Sequence, residues 1–148
     1  MIIFVKNNKI LLDKNDYEQL KDISWHIGAK GYVMSNNNLY LNRVIMKTPK
    51  GMDTDHINGN KLDNRKQNLR IATRTQNNLN KGKQSTKASS KYKGVGWDKN
   101  RSLWMSFTTI KNKFKSFGRF KTEKEAAIKY NQEIIKYYGG FAKLNIIL

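Results

Sequence analysis

The run Asp55-His56-Ile57-Asn58-Gly59-Asn60-Lys61-Leu62-Asp63-Asn64 decides how this chain folds. Asn68 follows His56 by twelve residues, and Asn77 follows Asn68 by nine. Asn58-Gly59 is a strong turn signal. A strand is therefore expected over Met52 to His56, with a turn-rich loop after it. Asn68 to Ala72 reads as the returning strand, with Leu69 and Ile71 alternating along it. Thr73-Arg74-Thr75-Gln76 then offers a capping box, Thr73 as N-cap and Gln76 three residues on. The helix it opens should run to about Lys81 and stop at Gly82. Two strands and a helix bring a carboxylate, an imidazole and carboxamides to one place. Asp55 is a hard oxygen ligand and Asn77 a neutral one, suited to magnesium or manganese. An imidazole titrates near neutral pH and can take a proton from water.

Outward from this core the pattern changes. Residues 1 to 47 alternate short apolar runs with turns. Ile2 to Val5 and Lys9 to Leu12 flank Asn7-Asn8 as a hairpin. Asp16 to Leu20 suggests a helical turn or two. Trp25 to Ile27, Tyr32 to Ser35 and Leu39 to Leu41 read as further strands, so a small sheet is expected ahead of the core. His26 lies outside the polar constellation and reads as structural.

Residues 82–91 are polar and basic and lack periodicity, as a linker does. Beyond them, strands are expected over Tyr92 to Trp97, Leu103 to Ile110 and Lys113 to Phe117. A helix opens at Thr122, with Glu125 closing a second capping box. Ala126, Tyr130, Ile134 and Tyr137 recur at helical spacing and predict a stripe packed on one sheet face. The other face is then free for a ligand. The expected class is α+β throughout.

The chain has 148 residues and a formal net charge of +18, which predicts strong attraction to polyanions. It has no cysteine, so disulfides and thiolate zinc sites are excluded and no zinc is expected. No apolar run is long enough to span a bilayer, and no membrane partner is expected. The N-terminus, Met1 to Lys6, reads as a strand rather than a signal peptide.

Two resemblances sharpen these readings. Asp55-His56-Ile57-Asn58-Gly59-Asn60, Asn68-Leu69-Arg70 and Thr75-Gln76-Asn77-Asn78 resemble an HNH endonuclease module of the phage homing type. Ser90-Lys91-Tyr92-Lys93-Gly94-Val95, Trp97, Gly118-Arg119-Phe120, Thr122-Glu123, Ala126-Ala127 and Gly140 to Asn145 resemble an AP2-type DNA-binding domain. The first resemblance implies a ββα-metal core. In it Asp55 and Asn77 hold Mg2+ or Mn2+, His56 is the general base, and Asn68 holds the imidazole by hydrogen bonding. Asn77 stands where the third histidine of the family name would be. The second implies a three-stranded sheet plus helix that grips double-stranded DNA. The domains would then be 1–81, with the HNH core at about 50–81, the linker at 82–91 and the AP2-like domain at 92–148.

Candidates for phosphate and DNA contacts are Arg43, Arg65, Arg70 and Arg74 in the first part and Lys93, Arg101, Lys113, Lys115 and Arg119 in the second. Trp97 and Trp104 fit core packing better than stacking on sugars. The leading expectation is a metal-dependent, site-directed DNA endonuclease, phage-encoded and acting in the cytoplasm of a bacterial host. One such site engages one scissile phosphate at a time, so a monomer nicks and a double-strand break needs a second copy or a second event; a monomer or weak dimer is expected. The alternatives are a non-cleaving DNA-binding regulator with a vestigial core, and an RNA-binding protein resting on charge alone.

Overall fold

A computed structural model describes residues 1–82 and 89–148. The middle of the expected linker lies outside the described residues. The chain divides into two compact units, Met1–Asn80 and Lys81–Leu148. Both mix short antiparallel sheets with helices, an α+β arrangement. Among the described residues no helix is long and apolar enough to cross a membrane.

The first unit opens with the hairpin β1 (Ile2–Val5) and β2 (Asn8–Leu11). Helix α1 (Lys14–Leu20) follows, then a second hairpin of β3 (Trp25–Ile27) and β4 (Val33–Ser35). The single sheet expected over residues 1 to 47 is thus two separate two-stranded hairpins. The strand expected at Leu39 to Leu41 is also corrected. Tyr40 makes one bridge to Met34, and Leu41–Met46 is helix α2. Leu41 and Ile45, one helical turn apart, are both buried there. In so short a run the β-branched Val44 and Ile45 conceal a helical spacing.

Ile10, Val33, Leu41, Ile45 and Leu69 form the core, with Ile3, Val5, Leu20, Trp25, Met46 and Leu62 packed around it. Each hairpin and helix therefore contributes one or two apolar side chains to a shared centre. None could bury such a side chain alone.

The core carries β5 (Asp53–His56), β6 (Leu69–Ala72) and α3 (Arg74–Asn80). The two strands pair antiparallel, Asp55 opposite Arg70 and His56 opposite Leu69. The capping box is present: Thr73 N donates to Gln76 Oε1 at 2.8 Å, and Gln76 N to Thr73 Oγ1 at 3.2 Å. Between the strands the loop turns at Gly59, whose φ of +79° suits glycine. The loop then runs beside β2. Leu11 N donates to Leu62 O at 2.9 Å, and Asn64 N donates to Leu11 O at 2.7 Å. Lys66 extends the attachment through Asp13 and Asp16 at 2.9 and 2.7 Å. The N-terminal hairpin thus works as a platform for the loop.

The second unit is the antiparallel sheet β7 (Val95–Asp98), β8 (Leu103–Ile110) and β9 (Lys113–Phe120), covered by α4 (Glu123–Tyr138). Thr122 and Glu125 make the reciprocal cap at 3.1 and 3.2 Å. Ala126, Ala127, Tyr130 and Ile134 are buried. Tyr137, expected in the stripe, is exposed and stacks on Phe117 with centroids 6.2 Å apart. Gly94 has φ +71°, and a Cβ there would lie 2.0 Å from the Tyr130 ring. The extended start expected at Tyr92 is therefore replaced by a turn, and the strand begins at Val95. Ser89 and Ser90 belong to this unit: Ser90 Oγ donates to Glu123 Oε1 at 2.6 Å, and Trp97 N donates to Ser89 Oγ at 2.9 Å.

Candidate active site

The polar constellation stands on both faces of β5. Strand alternation turns Asp53 and Asp55 to one side and Thr54 and His56 to the other. Two carboxylates on one face could be read from Asp53-Thr54-Asp55, and sequence reasoning noted only the second.

Helix α3 covers the carboxylate face. Asn77 Nδ2 donates to Asp53 Oδ2 at 2.8 Å, and Arg74 Nη1 lies 3.8 Å from the same oxygen. Asn80 Nδ2 donates to Asp55 Oδ1 at 3.0 Å and to the carbonyls of His56 and Ile57 at 2.8 and 3.3 Å. Arg70, opposite Asp55 in the ladder, places Nε and Nη2 at 2.8 and 2.7 Å from Asp55 Oδ2. Asp55 and Asn77, expected as a pair, therefore meet different partners. Asn77 meets Asp53, while Asp55 meets Asn80 and Arg70. Asn80, one turn beyond Asn77, carries no signal that separates it in sequence from Asn77 and Asn78.

On the other face His56 is buried. Its Nε2 is 3.2 Å from Asn64 Oδ1. Asn64 Nδ2 donates to Lys61 O at 3.3 Å, which turns the carboxamide oxygen toward the ring. A carbonyl oxygen only accepts, so Nε2 carries the hydrogen and the neutral ring keeps its lone pair on Nδ1. Burial, foremost, lowers the His56 pKa below 6.5; Asn64, Asp55 and Asp63 oppose that shift. The Tyr32 ring lies 6.0 Å from the imidazole, and Lys61 Nζ sits 4.6 Å above Tyr32.

Asn68 was expected on the imidazole; the structure places Asn64 there instead. Asn68 closes the loop. Its Oδ1 accepts from Asn58 N at 3.0 Å, and its Nδ2 donates to Asn58 Oδ1 and Asp63 O at 3.0 and 2.8 Å. Asp63 is held by Arg65 through two contacts of 2.7 Å, and its pKa is lowered chiefly by that hydrogen bonding. The loop owes its shape to amides that satisfy one another's donors and acceptors.

Among the described residues no three His, Cys, Asp or Glu side chains come together as a metal group. The donor set beneath α3 is two carboxylates and two carboxamides. Oxygen donors of this kind fit a hard divalent ion and not a thiophilic one.

Residues 47–79 match the family described as HNH endonuclease. An uncharacterized HNH endonuclease of Acanthamoeba polyphaga mimivirus is 34% identical over 132 residues, covering 83% of this chain and 67% of that protein. The chain belongs to the HNH endonucleases. Protein 3.8 of Escherichia phage T7 is 38% identical over 69 residues, 47% of this chain and 56% of its own length. No solved structure matches. As a member of this family the chain is a nuclease, and the matched segment spans Asp53, Asp55, His56, Asn64, Asn68, Arg70 and Asn77. Asn80 lies one residue past it.

The remaining basic residues of this HNH endonuclease divide by what they touch. Arg43 donates to Met52 O at 2.7 Å and to Thr48 O and Pro49 O at 3.4 Å, bracing the entry to β5. Arg65 and Arg70 are engaged on aspartates, and Arg74 projects into solvent. In the second unit, half-buried Lys93 is bracketed by Asn145, which accepts from its N–H at 2.7 Å and donates to its carbonyl at 3.0 Å. Burial, then Lys143, lowers the pKa of the Lys93 amine.

Lys113, Lys115 and Arg119 were expected together. A register shift between Ser106 and Phe107 separates them. Lys115 pairs with Thr108, and Lys113 pairs with Ile110 on the same side. Arg119 pairs with Met105 on the opposite face and donates to Asp98 at 2.7 Å; Arg101 lies 3.5 Å from that carboxylate. Phe107 and Phe114 stack at 5.6 Å on this open face, with Phe114 exposed.

Proposed function

We propose that this nuclease cleaves double-stranded DNA with a divalent cation, Mg2+ or Mn2+, held beneath α3, and that the second unit is an AP2-like grip on the duplex. Asp55 and Asn77 would hold the ion, with Asp53 as a further oxygen donor. When bound, the ion supplies charge stabilisation at the phosphate and at the leaving oxygen. His56 acts as general base. Its Nδ1 takes a proton from water, the water oxygen bonds to phosphorus, the bond to the 3′ oxygen breaks, and that oxygen takes a proton from solvent. The products carry a 5′-phosphate and a 3′-hydroxyl.

The observation that carries this reading is the buried 3.2 Å contact between His56 Nε2 and Asn64 Oδ1. An amide oxygen accepts, which favours the tautomer with its lone pair on Nδ1, and burial lowers the ring pKa in the same sense. Asn64 also ties the ring to a loop laced onto β2, so the base is pre-positioned on a rigid support. Asn68 acts indirectly, by holding that loop closed. The net charge of +18 supports a polyanionic substrate. Arg101, Arg119 and the Phe107–Phe114 pair on the open sheet face, with Lys113 and Lys115 at the hairpin tip, are the residues proposed to meet DNA, with Lys93 and Arg74 as outlying phosphate contacts. A phage homing role is part of this proposal; the viral relatives support a viral origin.

Plasmid DNA incubated with the protein and Mg2+ should be nicked, and chelator should stop the reaction. His56→Ala should lose cleavage while its affinity in a gel-shift assay stays within about twofold of wild type, a change of under roughly 0.5 kcal/mol. Binding lost in parallel with cleavage, in a folded variant, would remove His56 from the role of base.

A further inference from the structure

Asp55 carries its countercharge inside the chain. Both guanidinium contacts of Arg70, at 2.8 and 2.7 Å, fall on Oδ2, and Asn80 covers Oδ1 at 3.0 Å. The two side chains are 17% and 6% exposed. Arg70 is held there by the strand register, which sets its backbone directly opposite that of Asp55. Both oxygens of the carboxylate assigned to the cation are therefore engaged. A guanidinium and a divalent ion cannot share one oxygen at such distances without strong repulsion in a partly desolvated site. Even on Oδ1, where only the neutral amide of Asn80 stands in the way, a cation would sit beside the guanidinium held on Oδ2, so ligation by Asp55 is strongly disfavoured until Arg70 leaves.

A departing guanidinium at this depth needs another anion, because a desolvated and unpaired charge is costly. No further carboxylate of the chain is needed if the substrate brings the anion. A planar fork that fits a carboxylate fits a backbone phosphate equally well. We propose that Arg70 holds Asp55 closed to cations in the DNA-free chain and exchanges it for a phosphate of bound DNA, so that DNA and the divalent cation bind cooperatively. The inference rests on the reading of Asp55 as a cation ligand. Its consequence is a nuclease that acquires its metal on the substrate rather than before it. Linkage makes the effect reciprocal: DNA raises cation affinity by the factor by which the cation raises DNA affinity.

The test is Mn2+ binding to the DNA-free protein, read from loss of the free Mn2+ electron paramagnetic resonance signal. Wild type, Arg70→Gln, Arg70→Lys and Asp55→Asn are compared, each checked for folding by circular dichroism. Arg70→Gln should bind Mn2+ on the order of tenfold more tightly than wild type. Arg70→Lys, which keeps a charge but loses the fork, should fall between and serves if the glutamine variant does not fold. Asp55→Asn in the Arg70→Gln background should abolish the gain. In a His56→Ala background, which prevents cleavage, Mg2+ should tighten duplex binding, and adding Arg70→Gln should remove that dependence. Equal Mn2+ affinities in wild type and the Arg70 variants, with binding lost in Asp55→Asn, overturn the exchange and leave the cation site standing. Binding unaffected by Asp55→Asn overturns the cation site itself, and with it the exchange.

Discussion

His56 and Asn64 are joined by a 3.2 Å contact between the imidazole Nε2 and a carboxamide oxygen, both buried. The residues between them, Ile57 to Asp63, belong to the loop that returns the chain to β2. The contact settles which ring nitrogen has the lone pair. Asn64→Ala should therefore lower the single-turnover rate by about 10²-fold, the lower end of what a positioned base contributes, with DNA affinity unchanged. Asn64→Asp should restore orientation and move the acid limb of the pH–rate profile to higher pH, because a carboxylate favours the charged imidazole. A profile that does not move under Asn64→Asp contradicts the assignment.

Burial lowers the His56 pKa in the folded chain below 6.5, near which the unfolded chain takes up its proton. Between the two values the unfolded state binds more protons, so stability rises with pH there. The contribution is complete above 6.5 and is lost as pH falls through the lowered folded value. Cleavage should hold its rate to a lower pH than an ordinary imidazole allows. Proton NMR titration of the ring, with melting temperatures of wild type and His56→Ala between about pH 5 and 8, checks both. A midpoint at or above 6.5 would contradict the burial argument.

Gly94 has φ +71° and faces Tyr130 so closely that a Cβ would sit 2.0 Å from its ring and 2.8 Å from Phe107 O. Burial also pushes the Tyr130 phenol up to about 12, in keeping with a tightly enclosed ring. Gly94→Ala should cost about 1–3 kcal/mol from overpacking, with a similar strain from the left-handed backbone. Thermal unfolding followed by tryptophan fluorescence measures it. An unchanged melting temperature would mean the turn is looser than described.

Affinity for duplex DNA should depend steeply on salt. If about six to ten phosphates are neutralised, binding falls by about 10³ to 10⁵ between roughly 50 and 200 mM salt. Arg119→Ala should reduce the slope by less than Lys115→Ala does, because its guanidinium is shared with Asp98 at 2.7 Å. Lys115→Ala should reduce the slope by about one unit. Fluorescence anisotropy across a salt series separates the two residues.

What the sequence disclosed was mainly local. Both capping boxes, at Thr73 and Thr122, depend on residues three apart and were readable. The strand pairs around Asn58-Gly59 and over Leu103 to Ile110 followed from turn residues and alternation. Helix α2 was not readable, because six residues rich in Val and Ile give little period to count. The amide partners were harder still. Asn64, Asn68, Asn77 and Asn80 are chemically alike, and only the placement of the loop and α3 decides which meets His56, Asp53 or Asp55. The register shift at Ser106 and Phe107 likewise leaves no mark on composition, yet it puts Lys115 and Arg119 on opposite faces.

The lacing of residues 62–64 onto Leu11 uses main-chain atoms alone. Peptide groups are the same whatever side chain they bear. The solvent-facing side chains of the hairpin can therefore change without disturbing the histidine it supports, provided the core positions Ile3, Val5 and Ile10 stay apolar. Proline at Leu11 would remove the donor to Leu62 and loosen the base from its anchorage.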